Sequence, residues 1–255
     1  MSGFGGRPQL ALPKLTPAVK AIMVACGAMY LVELVAVNWL KLGVMLDVLW
    51  LDSARVVGSY WGWQLLTYSW LHHPNDPSHL LFNLLGLWLV GAMLEQRWGS
   101  WPFLKFYLLT GFWGGVAVVM TYLAFGADAP VLGASGAVDA LMIAFGILYP
   151  ELPSYFFGIL PLKGKHFVVL LVGLQLLFAA ARLDGVSIAA HLGGMAAGAL
   201  LVTGLWRPSR LRLRLFGAPK PKPKRPAGAP HLRVVPGEDD DGDDGGSNGK
   251  SRMLH

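Results

Sequence analysis

Residues 135 to 149 form an apolar segment that opens on Gly133-Ala134-Ser135-Gly136 and is too short to cross a bilayer. Its fifteen residues, closed by Pro150 and Pro153, cover about 22 Å as a helix. A full span needs about 20 residues for a hydrocarbon core about 30 Å thick. If the lower end reaches one membrane surface, the upper end, with the serine, starts several Å below the other. A helix start inside the membrane leaves backbone N–H groups unpaired, which is tolerated only where protein or a water-filled cavity surrounds it. The Ser135 hydroxyl is therefore expected in a wet, buried pocket at the positive end of a helix dipole. That makes it a candidate nucleophile.

The rest of the chain supplies the membrane context. Of its 255 residues 54% are hydrophobic and only 14% charged, and the mean hydropathy is +0.49, a balance that points to an all-α polytopic membrane protein. Apolar runs of spanning length fall at 17–38, 79–96, 102–124 and 187–206, with shorter ones at 135–149 and 166–181. Six spans place both termini on one side, with the short segment as the fourth, central helix. That side carries 18 of the 21 Lys and Arg residues, leaving Lys41, Arg55 and Arg182 to the other. The excess predicts cytoplasmic termini and an outward-facing loop 39–78. The polar start lacks a signal-peptide pattern, so the first span is expected to target the chain. Cys26 is the single cysteine, so no internal disulfide forms.

Three stretches carry polar residues where a membrane makes them costly. Glu33 lies near the outer end of the first span, where pairing or snorkelling is the plain expectation. The outer stretch 39–78 is rich in tryptophan, and Val44–Leu51 is apolar yet short, so a partly submerged helical loop is expected. The second span begins at His79, and Asn83, four residues on, shares its helical face. Either alone would be an ordinary interhelical contact, whereas the pair can donate toward a single point in the serine pocket. Glu95 and Arg97, at the cytoplasmic end, are expected to hold the turn into the third span.

The sixth span contains Ala190-His191 with Gly194 and Gly198, which share one face at i, i+3 and i+7. On the short fourth helix Gly136 and Ala140 make a matching small-residue pair. Two such faces can approach closely, which a contact between Ser135 and His191 demands. Residues 1–16 read as a cytoplasmic leader and 17–206 as the membrane domain. The tail 207–255 is basic and then acidic; its arginines are expected on anionic lipid heads and its end disordered. Zinc-type spacings, phosphate loops and nucleic-acid motifs do not occur, so no cofactor, metal or nucleic-acid partner is expected.

These four stretches, His79…Asn83, Gly91…Glu95…Gly99, Gly133-Ala134-Ser135-Gly136 and Ala190-His191 with Gly194 and Gly198, together resemble the rhomboid family of intramembrane serine proteases. The resemblance covers 17–206 and implies a six-helix bundle in which Ser135 is the nucleophile and His191 its general base. It also implies an oxyanion site made by His79, Asn83 and the Ser135 N–H, such donors being worth about 3 to 4 kcal/mol each. Implied partners are transmembrane protein substrates, cut near the outer face where their helix unwinds, and membrane lipids. A bacterial inner membrane is the implied location.

Three departures from the family pattern stand out. Where members carry an aromatic residue one turn after the serine, this chain has Asp139, either a carboxyl bonded within the bundle or a group that orients or charges His191. The common outer-loop Trp-Arg pair is Trp63-Gln64, so the arginine's part in anchoring the loop is expected to be missing. His72 to His79 is a longer spacing than usual, implying reshaped access to the site. Two rival readings remain: a catalytically silent rhomboid-like protein that binds or escorts membrane clients, and a small transporter. Silent relatives usually lack the serine or the histidine, and this chain has both. The transporter would need paired broken helices in matching halves, which the sequence does not contain.

Overall fold

The computed structural model of the protein describes residues 13–156, 160–180 and 185–207. The leader before Pro13, Arg182 and the tail beyond Arg207 lie outside the described residues. Helix α1 runs Pro17–Leu34 and continues as a π-helical turn, Val35–Trp39. The outer segment is a 3-10 turn Gly43–Val48, α2 Ser53–Gly58, α3 Gln64–Thr67 and a second 3-10 turn Tyr68–Trp70. Helix α4, Pro77–Gly86, passes through a π turn, Leu87–Gly91, into α5, Ala92–Trp98. Then follow α6 Ser100–Phe125, α7 Ser135–Leu148, a hairpin of β1 Pro153–Phe156 and β2 Leu160–Lys163, α8 Gly164–Ala180 and α9 Gly185–Thr203.

Four helical stretches, Pro17–Trp39, Pro77–Trp98, Ser100–Phe125 and Val186–Thr203, are long and apolar enough to cross a membrane, and Ser135–Leu148 and Gly164–Leu174 are shorter. This is a mostly helical membrane bundle compatible with six membrane segments. Helix α7 is its centre: residues Gly136 to Leu141 are all buried, packed by α4, α6, α8 and α9. Below the serine the core joins α1, α5, α6 and α7 through Val19, Leu94, Phe103 and Leu141.

Local chemistry sets the ends of these helices. The second span begins at Pro77 rather than His79 because Asp76 caps it, its carboxylate accepting the N–H of Ser78 at 3.1 Å and of His79 at 3.3 Å. Proline fits the first helical position because its missing N–H would have had no partner there. The Ser78 hydroxyl also donates to Asp76 and, with the backbone donors, holds this exposed carboxyl below its ordinary value. Helix α6 stops at Gly126, whose left-handed φ of +68° lets its N–H reach the Tyr122 carbonyl at 2.7 Å. The connection 150–165 contains the β1–β2 hairpin. Beside it Glu151 pairs with Lys165 at 2.6 Å and Lys163 at 2.9 Å, and these ammonium donors pull its carboxyl down to about 2.

Candidate active site

The site is built on the first turn of α7. Gly133, two residues before Ser135, has φ +129°, and its N–H donates to the Tyr68 carbonyl at 3.0 Å. A Cβ at this position would lie 2.7 Å from His79 Nε2. Glycine is required here both by the backbone conformation and by the space. The tight fit sets the His79 imidazole against the chain that delivers Ser135.

Helix α9 carries His191 to the same place. Its Nε2 lies 3.4 Å from Ser135 Oγ, and its Nδ1 lies 2.7 Å from Asp139 Oδ2. Ser135 and Asp139 are four residues apart on α7, so their side chains rise from one face about 5–6 Å apart. The imidazole spans that gap.

Small residues make the approach of α9 possible. The Ala190 carbonyl is flanked by Gly114 of α6 and Gly136 of α7; a Cβ on either would come within 2.9 Å of it. A Cβ on Gly194 would strike the Gly136 carbonyl at 2.2 Å, and one on Gly198 would meet Ala140 Cβ at 2.9 Å. Contacts of this closeness replace side-chain packing with backbone packing.

A cleft of about 240 Å³ lies over these groups, lined among others by Tyr68, His79, Gly133, Ser135, Ser187 and His191. Asn83 shares the His79 face, but its side-chain NH₂ donates to the His79 carbonyl at 3.0 Å, committing one of its two hydrogens to its own helix. The structure thus brings Ser135, His191, Asp139 and His79 together and leaves Asn83 one turn further down.

Glu95 and Arg97 sit far from the cleft. The Glu95 carboxylate accepts the backbone N–H of Ala18 and Val19, each at 2.9 Å, together with the hydroxyls of Thr16 and Ser100. It therefore caps the start of the first span and ties it to the start of α6, a longer reach than the turn alone. Arg97 stacks on Tyr149 at the foot of α7, 5.4 Å from the ring centre.

Polar residues above the site do work that the sequence did not reveal. Gln64, fully buried, donates to the carbonyls of Asp47 at 3.1 Å and Val48 at 3.4 Å and accepts the Asp52 N–H at 3.2 Å. The anchoring expected to be missing with the arginine is supplied by this amide. Glu33 is buried and accepts the His72 N–H at 2.9 Å, which fixes the approach to α4. His72 itself is fully buried, with its ring centre 5.2 Å from that of His79. Neither ring nitrogen meets a partner in hydrogen-bond geometry. Burial, reinforced by repulsion from His79, pushes His72 down to about 4, with the Trp70 carbonyl opposing weakly. In the sequence His72 stood out only as the start of the lengthened His72…His79 spacing. The Tyr68 phenol, buried and donating to the Gly111 carbonyl at 2.7 Å, is raised above its ordinary value by that burial.

Comparison with known proteins gives a consistent result. A family model described as the Rhomboid domain matches residues 60–208. RHOMBOID-like protein 4 of Arabidopsis thaliana is 36% identical over 155 residues, which cover 59% of this chain and 36% of that protein. Rhomboid protease GluP of Bacillus subtilis (strain 168) is 31% identical over 159 residues, 62% of this chain and 28% of that protein. RHOMBOID-like protein 12, mitochondrial, of Arabidopsis thaliana is 28% identical over 139 residues, 49% of this chain and 41% of that protein. The aligned region thus spans between 28% and 41% of the length of these three curated relatives.

Proposed function

Because the chain belongs to the rhomboid family, and is therefore an integral multi-pass membrane protein, we propose that it is an intramembrane serine protease acting through Ser135 and His191. The observation that carries this reading is the 3.4 Å separation of Ser135 Oγ from His191 Nε2 beneath a cleft lined by hydroxyls and imidazoles. A hydroxyl contact of that length is longer than the usual 2.7–2.8 Å, and such contacts commonly tighten once substrate is bound.

The reaction begins when His191 Nε2 takes the Ser135 proton as Oγ attacks a peptide carbonyl of a transmembrane substrate. His191 then gives that proton to the leaving amine, and water hydrolyses the acyl-enzyme by the reverse sequence. The oxyanion forms at the start of α7, where the first N–H groups have no intrahelical partner. The His79 imidazole, which lines the same cleft, donates to it, as does the remaining N–H of Asn83. Cleavage falls near the outer membrane face, where an unwound substrate helix exposes its carbonyls. The excess of Lys and Arg supports cytoplasmic termini, and the proposed setting is a bacterial inner membrane.

The test is labelling of the detergent-solubilised protein by a fluorophosphonate, alongside cleavage of a transmembrane substrate in liposomes. Both are expected in the unaltered protein, and both are expected to vanish in Ser135→Ala. Cleavage that persists in Ser135→Ala, or an unaltered protein that neither labels nor cleaves, would overturn the reading and leave a client-binding role.

A further inference from the structure

We infer that Asp139 is a positioning residue for the base, completing a Ser135–His191–Asp139 triad rather than a two-residue site. The inference rests on the protease reading above. Its own ground is geometric: Asp139 Oδ2 lies 2.7 Å from His191 Nδ1, and the carboxyl is almost fully buried, with 10% of its side chain exposed. A contact of 2.7 Å is the length of a charge-assisted bond. A carboxylate only accepts at this position, so Nδ1 carries the proton and the Nε2 lone pair is turned toward Ser135 Oγ. With the opposite tautomer Nε2 would hold a hydrogen and could not take the serine proton.

The spacing along α7 makes this a single device. Nucleophile and orienting acid rise one turn apart from the same helix, and the base enters from α9 to bridge them. Because Gly194 rests against the Gly136 carbonyl one turn after His191, α9 is held close to α7 where the imidazole meets Ser135 and Asp139. During attack the Ser135 proton moves to Nε2, the Oγ–carbonyl bond forms and the carbonyl electron pair moves to oxygen. The imidazolium that results keeps its Nδ1 proton, hydrogen-bonded to the Asp139 carboxylate, which stabilises the positive charge without taking the proton. The proton on Nε2 then passes to the amine nitrogen as the C–N bond breaks. An aromatic residue at 139 could pack on the imidazole but could neither select the tautomer nor offset its charge.

The experiment compares Asp139→Asn, Asp139→Glu and Ser135→Ala in liposomes. The asparagine keeps the size of the side chain and removes the charge and the tautomer preference, so kcat and the rate of fluorophosphonate labelling are expected to fall by about 10²- to 10⁴-fold. KM and the thermal midpoint should stay near those of the unaltered protein, and Asp139→Glu should recover part of the loss. If Asp139→Asn turns over and labels within about threefold of the unaltered protein while Ser135→Ala is dead, the inference falls and the protease reading stands. If Ser135→Ala still cleaves, the protease reading falls first. Should the asparagine variant fail to fold, ¹⁵N-histidine NMR of the unaltered protein decides. A low-field Nδ1–H resonance lost in His191→Gln supports the triad, and a His191 protonated on Nε2 instead overturns it.

Discussion

Where α6, α7 and α9 meet, helices touch with almost no side chain between them; in the outer segment above, side chains do most of the holding. At the junction Gly114 and Gly136 clasp the Ala190 carbonyl, and Gly194 rests on Gly136. In the outer segment Gln64 reaches Asp47, Val48 and Asp52, Trp63 donates to the Val48 carbonyl at 2.9 Å and Thr67 to the Leu49 carbonyl at 2.6 Å. Arg55 adds a bond to the Asp47 carbonyl at 3.2 Å and an ion pair with Asp52 at 3.2 Å. Backbone contacts have no adjustable part, so the junction is all or nothing. A lattice of side-chain bonds can open one bond at a time, which places the outer segment at the low-stability end of the molecule. The Ser135–His191 geometry thus resides in the rigid region, and the divisible one lines the same cleft through Tyr68. The two are joined at a few points: Leu51 and Val131 exchange backbone bonds of 2.9 Å, the Tyr68 carbonyl accepts the Gly133 N–H at 3.0 Å, and the Tyr68 phenol donates to the Gly111 carbonyl of α6 at 2.7 Å.

The largest effect should come from the junction. Gly194→Val would place a branched side chain 2.2 Å from the Gly136 carbonyl, where no rotamer gives relief because the clash is with backbone. Helices α7 and α9 must separate, and the expected outcome is loss of folded, detergent-stable protein together with fluorophosphonate labelling. Gly27→Ala is the control: nothing lies within 4 Å of the added Cβ, and alanine gains up to about 1 kcal/mol of helix propensity. Size-exclusion profiles and thermal midpoints check both. A monodisperse, labelling-competent Gly194→Val protein would show that the junction yields, contrary to this account.

Gln64→Leu should act more narrowly. It removes three bonds from a buried position; the Asp47 and Val48 carbonyls keep Arg55 and Trp63 as donors, while the Asp52 N–H loses its partner, at about 1–3 kcal/mol if it stays dry. Amide exchange at Asp52 is expected to rise about 5- to 150-fold, since 1.4 kcal/mol is a factor of ten. The α6–α7–α9 core should keep its protection. Equal loss of protection in both regions would mean that the outer segment and the junction open as one unit.

The same contrast explains what could be read from the sequence. Four apolar stretches of spanning length and two shorter ones were legible because a bilayer tolerates no unpaired backbone, so length and hydropathy translate directly into architecture. Glycine spacing was informative for a related reason: a small-residue face on α9 has few partners that fit it, and the Gly136–Ala140 face of α7 is one. Side-chain bonds over long separations left no such trace. Glu95 meets Ala18 from 77 residues away, and nothing in either stretch names the other. Gln64 read as the loss of an arginine because resemblance compares residue types, whereas the loop needs only donors and an acceptor at the right reach. Asp139 was visible as a departure, but its distance from His191 depends on how α9 is rotated, which spacing alone leaves open.

The smallest effect concerns the boundary between the two regions, where buried His72 touches His79. Its depressed value of about 4, against an ordinary 6.5, fixes the sign. Below pH 6.5 the opened segment binds a proton that the closed one refuses, so closing weakens as pH falls, until near pH 4 the closed form is protonated as well. One proton contributes at most about 1.4 kcal/mol per pH unit, and between pH 7 and 5.5 the loss comes to about 1.2 kcal/mol. Glu33, on the His72 backbone, and Asp76 and His73 stay in place in the test, so only the His72 contribution is removed. Proteolysis of the outer segment in liposomes should therefore accelerate about eightfold over that range, and His72→Gln should flatten the dependence whatever its absolute rate. An unchanged slope in His72→Gln would assign the pH response elsewhere and make the contact with His79 a packing contact alone.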